Sequence, residues 1–224
     1  QHRTGNGHVF SSRYMEEDEA RSILLDNLEG KPLADPRTLR FTTGMRKKAW
    51  SHNVVSLGLS SGFIEPLEST SIHLIQTGIS KLLALFPDRD FADVERDEYN
   101  RLMLSSYSAV RDFIVAHYHV THRDDTPFWN YVRTMDIPDS LKTRLELYRR
   151  KGRIFRYDDE LFTVGSWSAI LNGQGMTPIA SDPLCAALDA DGLAEAMRRM
   201  KGVHHAMAAR LPMHRDALGS PKGD

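Results

Sequence analysis

The sequence predicts an α+β fold, mainly α, in which the remnant of a sheet domain is followed by a helical region. Three observations carry this. From Ser71 onward, Ile72, Ile75, Ile79, Leu82, Leu83 and Phe86 recur at helical spacing, and the same rhythm returns in later segments. Before residue 70 the signals are mixed, one short helix among extended stretches. The change falls inside one block, Gly58-Leu59-Ser60-Ser61-Gly62-Phe63-Ile64-Glu65-Pro66-Leu67-Glu68-Ser69-Thr70-Ser71, where small residues and two carboxylates run directly into a helix.

In chain order, residues 2–14 read as a hairpin turning at Gly5-Asn6-Gly7, and residues 16–28 as a helix with an acidic start. Extended segments follow at Leu39-Arg40-Phe41-Thr42 and Val54-Val55-Ser56-Leu57. The helix that begins at Ser71 is expected to bury its Ile72, Ile75, Ile79, Leu82, Leu83 and Phe86 face. Tyr99, Leu102, Met103, Ser106, Val110, Phe113, Ile114 and His117 keep a second helical rhythm. Asp124-Asp125 marks the turn that ends it before Thr126-Pro127, and Pro138 opens a helix running to Lys151. Residues 184–211 form a last helix, interrupted at Asp189-Ala190-Asp191-Gly192 and weakened at Gly202. The expected division is therefore 1–70 for the sheet part, 71–218 for the helical part and 219–224 for a disordered tail.

With 224 residues, 41% hydrophobic and 26% charged, the chain has material for one sizeable core or two small ones. Lys and Arg number 29 against 30 Asp and Glu, so nothing points to nucleic acid or an anionic membrane as partner. Arg149-Arg150-Lys151 and Arg198-Arg199 read as solvated helix faces. The single cysteine, Cys185, excludes an internal disulfide framework and fits a reducing cytoplasm, the expected location. There is no bilayer-spanning apolar run and no secretory start.

A helix start fixed in place presents backbone N–H groups without intrahelical partners at the positive end of the macrodipole, which makes a seat for an anion. Ser69, Thr70 and Ser71 stand there, and their hydroxyls can cap those donors themselves, the commoner role of such a cluster. A capping box places its Glu three residues after the cap, however, whereas Glu65 and Glu68 precede the hydroxyls. Gly58, Ser60, Ser61 and Gly62 are small enough for a backbone to approach a flat or phosphorylated ligand. Other clusters have plainer readings. His117, His119 and His122 are not one metal set, since only His119 and His122 share a helix face, and they read as structural or interfacial. His204-His205 needs no ligand, and Gly173-Gln174-Gly175 reads as a turn. No Gly-x-Ser-x-Gly elbow surrounds Ser60, Ser61 or Ser69, which sets a hydrolase aside.

The Glu-Pro-Leu-Glu-Ser block resembles the helix-opening segment of the flavin-dependent halogenases, the group that includes the tryptophan halogenases. The stretch from His2 to Tyr14 resembles a strand of that family, and Gly44-Met45-Arg46 with Trp50, Asn53 and Val54 resembles its approach to the glutamate loop. His117-Tyr118 with Pro127-Phe128-Trp129, and Ser166-Trp167 with Gly173-Gln174-Gly175, are similar too, so the resemblance covers nearly the whole chain. It implies a flavin-monooxygenase-like sheet domain and a helical substrate-binding region. It also implies reduced FAD, oxygen and chloride or bromide as reactants, an aromatic substrate such as tryptophan or an indole, and a flavin reductase as partner.

By the same resemblance Glu68 matches the catalytic glutamate that faces the substrate, and Thr70 and Ser71 match the positions whose N–H groups receive the halide. Leu59 and Ile72 match positions that line the flavin, Glu65 is structural, and Phe162 and Trp167 either stack on the substrate ring or belong to the core. Two departures bear on specificity: Ser71 stands where many tryptophan halogenases have Gly, and Phe155-Arg156-Tyr157-Asp158-Asp159-Glu160-Leu161-Phe162 lacks the family's tyrosine pair. That leaves an indole, a pyrrole or a carrier-bound aromatic acid open beside tryptophan. The family's Gly-x-Gly-x-x-Gly turn, catalytic lysine and Trp-x-Trp-x-Ile-Pro segment are not in these residues. The chain is therefore read as the C-terminal part of such an enzyme, inactive without its FAD domain. The surface left bare is expected to make it poorly soluble or self-associating, with a homodimer among the forms. The alternatives are a related flavin-dependent aromatic hydroxylase and a helical binding or assembly module.

Overall fold

Residues 93–119 form the longest helix among the described residues, α3 (Asp93–His119), because Tyr99, Met103, Tyr107, Val110, Phe113 and Ile114 recur every three or four positions and are all buried. The computed structural model describes residues 4–158 and 160–219, without the side chain of Arg215. The expected class holds. Helices α1 (Glu17–Asp26), α2 (Ser71–Ala84), α4 (Pro127–Thr134), α5 (Asp139–Lys151) and α6 (Val164–Gly173) accompany α3. The described strands are two residues long: β1 (Gly44–Met45) pairs antiparallel with β4 (Gly62–Phe63), and β2 (Trp50–Ser51) with β3 (Val54–Val55).

Several local expectations hold for local reasons. Helix α1 opens on Glu17, Asp18 and Glu19, whose charges suit the positive end of the helix. Thr126 caps α4, its Oγ1 accepting from the Trp129 N–H at 3.3 Å, with Pro127 at the first helical position. Pro138 precedes α5, which ends at Lys151 as expected. The hairpin expected over residues 2–14 is not present among the described residues: the chain is irregular from residue 4, and Tyr14 and Met15 donate to the Ser11 carbonyl in a turn. A lone two-stranded ribbon is marginal in water, and no third strand pairs here. His2 and Arg3 lie outside the described residues. Leu39 and Phe41 are exposed and unpaired as strand for the same reason.

Helix α2 forms where expected but buries only part of the expected face, with Ile75 half-buried and Leu82 on the core. Ile72 is 70% exposed and Leu83 and Phe86 are each 69% exposed, while Leu74 and Gly78 are buried and Leu82 and Leu85 pack on the core. The helix is apolar on more than one face, so spacing allows two solutions and packing selects one. Gly78 decides it: a Cβ there would lie 2.8 Å from Leu57 Cδ2 and 3.3 Å from Tyr99 Oη, so only this face can approach α3 closely.

The core of this unit gathers on α3. Phe162 stacks on Phe113 with centroids 3.6 Å apart, Trp167 meets Phe113 edge-on at 4.8 Å, and Leu141, Leu145, Tyr148 and Leu171 fill in from α5 and α6. Beneath them lies a buried ion pair. Arg144 Nη2 donates to Glu160 Oε1 at 2.6 Å, Nη1 donates to the Phe155 carbonyl, and the guanidinium covers the Trp167 ring at 4.4 Å.

Contacts divide the chain into Gly7–Ala180 and a second unit that joins residues 4–6 to 181–219 among those described. The boundary expected at residue 70 falls inside the first unit, because α3 packs on both α2 and β2. In the second unit, the 3₁₀ turn Pro183–Ala187 is followed by α7 (Ala190–Arg210) and α8 (His214–Ala217). Asp189 caps α7, its carboxylate accepting from the Asp191 and Gly192 N–H groups, so the acidic stretch is a helix start, and Gly202 does not break the helix. Of the expected tail, residues 220–224 lie outside the described residues. No helix among the described residues is long and apolar enough to cross a membrane.

Replacing Arg144 by Ala leaves Glu160 buried without its cation, and the expected cost is about 3–5 kcal/mol. Urea unfolding reads this as a lower midpoint at unchanged slope. A midpoint equal to that of the unmodified protein would remove the pair from the account of stability.

Candidate active site

The block of residues 58–71 is pinned from two sides before it reaches its carboxylates. On one side, Arg46 N donates to the Ser61 carbonyl at 2.8 Å, Arg46 Nε to the Ser60 carbonyl at 2.5 Å, and Thr43 Oγ1 to the Ile64 carbonyl at 2.7 Å. On the other, Tyr107 Oη of α3 donates to the Gly62 carbonyl at 3.2 Å. Gly62 admits no side chain, since a Cβ would lie 2.8 Å from the Gly44 carbonyl oxygen across the β1–β4 pair.

Beyond Pro66, the 3₁₀ turn Leu67–Ser69 carries backbone strain. Glu68 has φ 64° and Ser69 φ 52°, two consecutive non-glycine residues in the left-handed region. Each costs roughly 1–2 kcal/mol relative to ordinary backbone, so the surroundings must hold them. Adjacent residues of α3 do so. Tyr118 Oη donates to Glu65 Oε1 at 2.7 Å, and His117 Nε2 lies 3.0 Å from Glu68 Oε1. Burial, and after it the Glu65 carboxylate, push the Tyr118 phenol well above its ordinary value, so it stays a protonated donor. His117 Nδ1 lies 2.8 Å from the Phe113 carbonyl, which can only accept, so Nδ1 carries a hydrogen. The Glu68 side chain keeps 35% of its surface open while that of His117 keeps 14%, so the carboxylate is reachable and its partner is enclosed.

The start of α2 follows at once. Thr70, its N-cap, is buried with φ −74° and ψ −13° and makes no side-chain capping bond. The hydroxyl cluster therefore does not cap this helix through Thr70 as the plainer reading had it. The Gly58–Ser60 turn packs on α2, and a large apolar side chain stands exposed on each of these elements, Leu59 at 75% and Ile72 at 70%. Ser71 is half-buried. Phe162 and Trp167 both pack on Phe113 and are buried, Trp167 being 1% exposed, which places them in the core, one of the two positions expected for them.

His117 and Tyr118 are what residue-by-residue reading missed. The signal was present: His117 continues the buried stripe of α3, and a polar group on such a stripe needs a partner. His119 and His122 have other company. His119 Nδ1 lies 3.1 Å from the Val132 carbonyl of α4, and His122 packs on Gly175. No group of three metal-binding side chains occurs among the described residues.

A reachable carboxylate thus stands against an enclosed imidazole and close to a helix start that its N-cap side chain leaves uncapped. The tryptophan halogenase family model matches residues 1–190, and the chain belongs to that family. Tryptophan 6-halogenase ThaL of Streptomyces albogriseolus is 36% identical over 195 residues, which cover 79% of this chain and 36% of that protein. Among solved structures, BrvH, a flavin-dependent halogenase from Brevundimonas sp. BAL3, superposes with a TM-score of 0.88 at 44% identity, and Xcc4156, a flavin-dependent halogenase from Xanthomonas campestris, with 0.87 at 43%. Each covers 93% of this chain, which spans 42% of either structure.

Tyr118→Phe takes the donor from the Glu65 carboxylate and is expected to lower stability by about 1.5–3 kcal/mol. Because the phenol's value is raised by folding, its contribution is complete below the ordinary tyrosine value of about 10 and is lost as pH climbs through the raised one. Unfolding curves of the two proteins should therefore stay a constant distance apart up to about pH 10 and converge above it. Coincident curves at neutral pH would mean that the bond holds nothing.

Proposed function

We propose that this chain is the substrate-side part of an FAD-dependent halogenase acting on an aromatic ring, tryptophan or an indole-like compound. The observation that carries the reading is the Glu68 carboxylate, reachable, held on strained backbone and placed two residues before a helix start whose cap hydroxyl leaves its donors alone. The N–H groups of Thr70 and Ser71 receive chloride or bromide. Leu59 and Ile72 meet the flavin, and they fit it: two exposed apolar side chains on packed elements offer a wall to a flat ring. FAD, when bound in reduced form, supplies the oxygen chemistry that turns halide into an electrophile. A separate flavin reductase and an N-terminal FAD-binding part complete the enzyme, and the chain alone gives no product.

This chain's own residues handle the ring. Electrophilic substitution places positive charge on the substrate, and the Glu68 carboxylate stabilises it. As the carbon–halogen bond forms, the ring carbon must lose its hydrogen; the C–H electron pair returns to the ring and the proton passes to the carboxylate. His117 occupies Oε1, so Oε2 is the oxygen that faces this task. Support for a tryptophan ring comes from relatives that are tryptophan halogenases, ThaL among them.

The test is a halogenation assay on the chain extended to include the FAD domain, with reduced FAD, bromide and a panel of indoles. Glu68→Gln is expected to lower product formation by about 10²-fold or more while flavin reoxidation continues. Product formation indifferent to the substitution would refute the assignment.

A further inference from the structure

We infer that His117 is the positioning residue of this site: one proton shared between its Nε2 and Glu68 Oε1 orients the carboxylate and leaves Oε2 as the only free base. The inference rests on the reading of Glu68 as the proton acceptor. It begins from the ring nitrogens. Nδ1 is committed to the Phe113 carbonyl at 2.8 Å, so a neutral imidazole would present a bare lone pair at Nε2. Glu68 Oε1, 3.0 Å away, also has only lone pairs when ionised. Two acceptors at that distance repel, so the contact requires a proton between them.

Two arrangements satisfy this, imidazolium with carboxylate or imidazole with carboxylic acid. Only the first leaves Glu68 able to accept a proton from substrate. In it the ring donates to two acceptors at once, the Phe113 carbonyl and Glu68 Oε1. The Phe113 ring meets the imidazole edge-on, 4.8 Å between centroids at 83°, which sets the plane of the ring and so the direction of Nε2. Glu68 stands in a left-handed backbone conformation on a short turn, and the hydrogen-bond partner of its side chain comes from α3. His117 supplies that fixing from the most buried helix of the unit.

Two isosteric variants separate the contacts. In His117→Asn the amide nitrogen falls where Nδ1 stood, keeping the bond to Phe113 and losing Glu68; in His117→Gln it falls where Nε2 stood and can still donate to Glu68. In the full-length enzyme, the Asn variant is expected to lose about 10²-fold in kcat, with KM and flavin reoxidation unchanged and the Gln variant restored to within a few-fold. Equal losses in both variants, or none, would overturn the inference. A second readout does not depend on turnover. Nitrogen-15 NMR of the histidine ring, in the same enzyme without substrate near pH 7, should find both His117 nitrogens protonated, and Nε2 bare in Glu68→Gln. A bare Nε2 in the unmodified enzyme overturns the inference even if the variants fail to fold. If the enzyme makes no halogenated product at all, the proposed function fails, and the ring nitrogens still decide whether the proton is shared.

Discussion

Two adjacent left-handed residues, Glu68 and Ser69, can persist only while something outside their turn holds them, and that something is α3. Their conformations cost roughly 1–2 kcal/mol each. The opposing contributions come from neighbouring side chains of one helix, the Tyr118 bond to Glu65 and the contact of His117 with Glu68. A hydrogen bond involving a charged group contributes about 1.5–3 kcal/mol, so the two sides nearly balance. A turn so poised keeps its shape only because α3 itself does not move, which makes the burial of Tyr99, Met103, Val110 and Phe113 a condition of the site's geometry as well as of stability.

Phe113 shows how closely the two are joined. Its ring is stacked on by Phe162 and met edge-on by Trp167, and its carbonyl lies against the His117 ring one turn on. Packing that seats the ring therefore also sets the direction of the imidazole, through a single residue's backbone. The Arg144–Glu160 pair closes the far side of the same cluster by covering Trp167. A disturbance there reaches Glu68 through two aromatic contacts and one hydrogen bond, which is the physical route by which a core change would alter chemistry.

Helix starts were legible in the sequence because they depend on a few adjacent residues. Ser71 after its hydroxyl cluster, Thr126-Pro127 and Pro138 each mark one, and each helix begins there. The face that α2 buries was not legible, because Ile72, Ile79, Leu83 and Phe86 make as good an apolar stripe as Leu74, Gly78, Leu82 and Leu85. Only the absence of a side chain at Gly78 separates them, and its meaning requires knowing that Tyr99 and Leu57 lie opposite. Phe162 and Trp167 were ambiguous for a like reason: an aromatic residue has the same signature whether its ring faces a ligand or another ring. In the site, the block and its carboxylates could be picked out by composition, whereas the partners on α3 stand 49 and 53 residues away in the chain, so local spacing could mark His117 as needing a partner without saying which.

That separation in sequence is also what tells the two carboxylates apart. Glu65 and Glu68 are the same residue type three positions apart on one loop, and nothing in their neighbours ranks one over the other. Their partners do. Glu65 accepts from a phenol that burial keeps protonated, so its bond is fixed and exchanges nothing. Glu68 faces an imidazole, the side chain whose type gives up and takes protons near neutrality. The same helix thus presents an anchor to one carboxylate and a proton-bearing partner to the other from consecutive positions, Tyr118 and His117. The difference between the two carboxylates on the loop follows from which α3 residue each one meets.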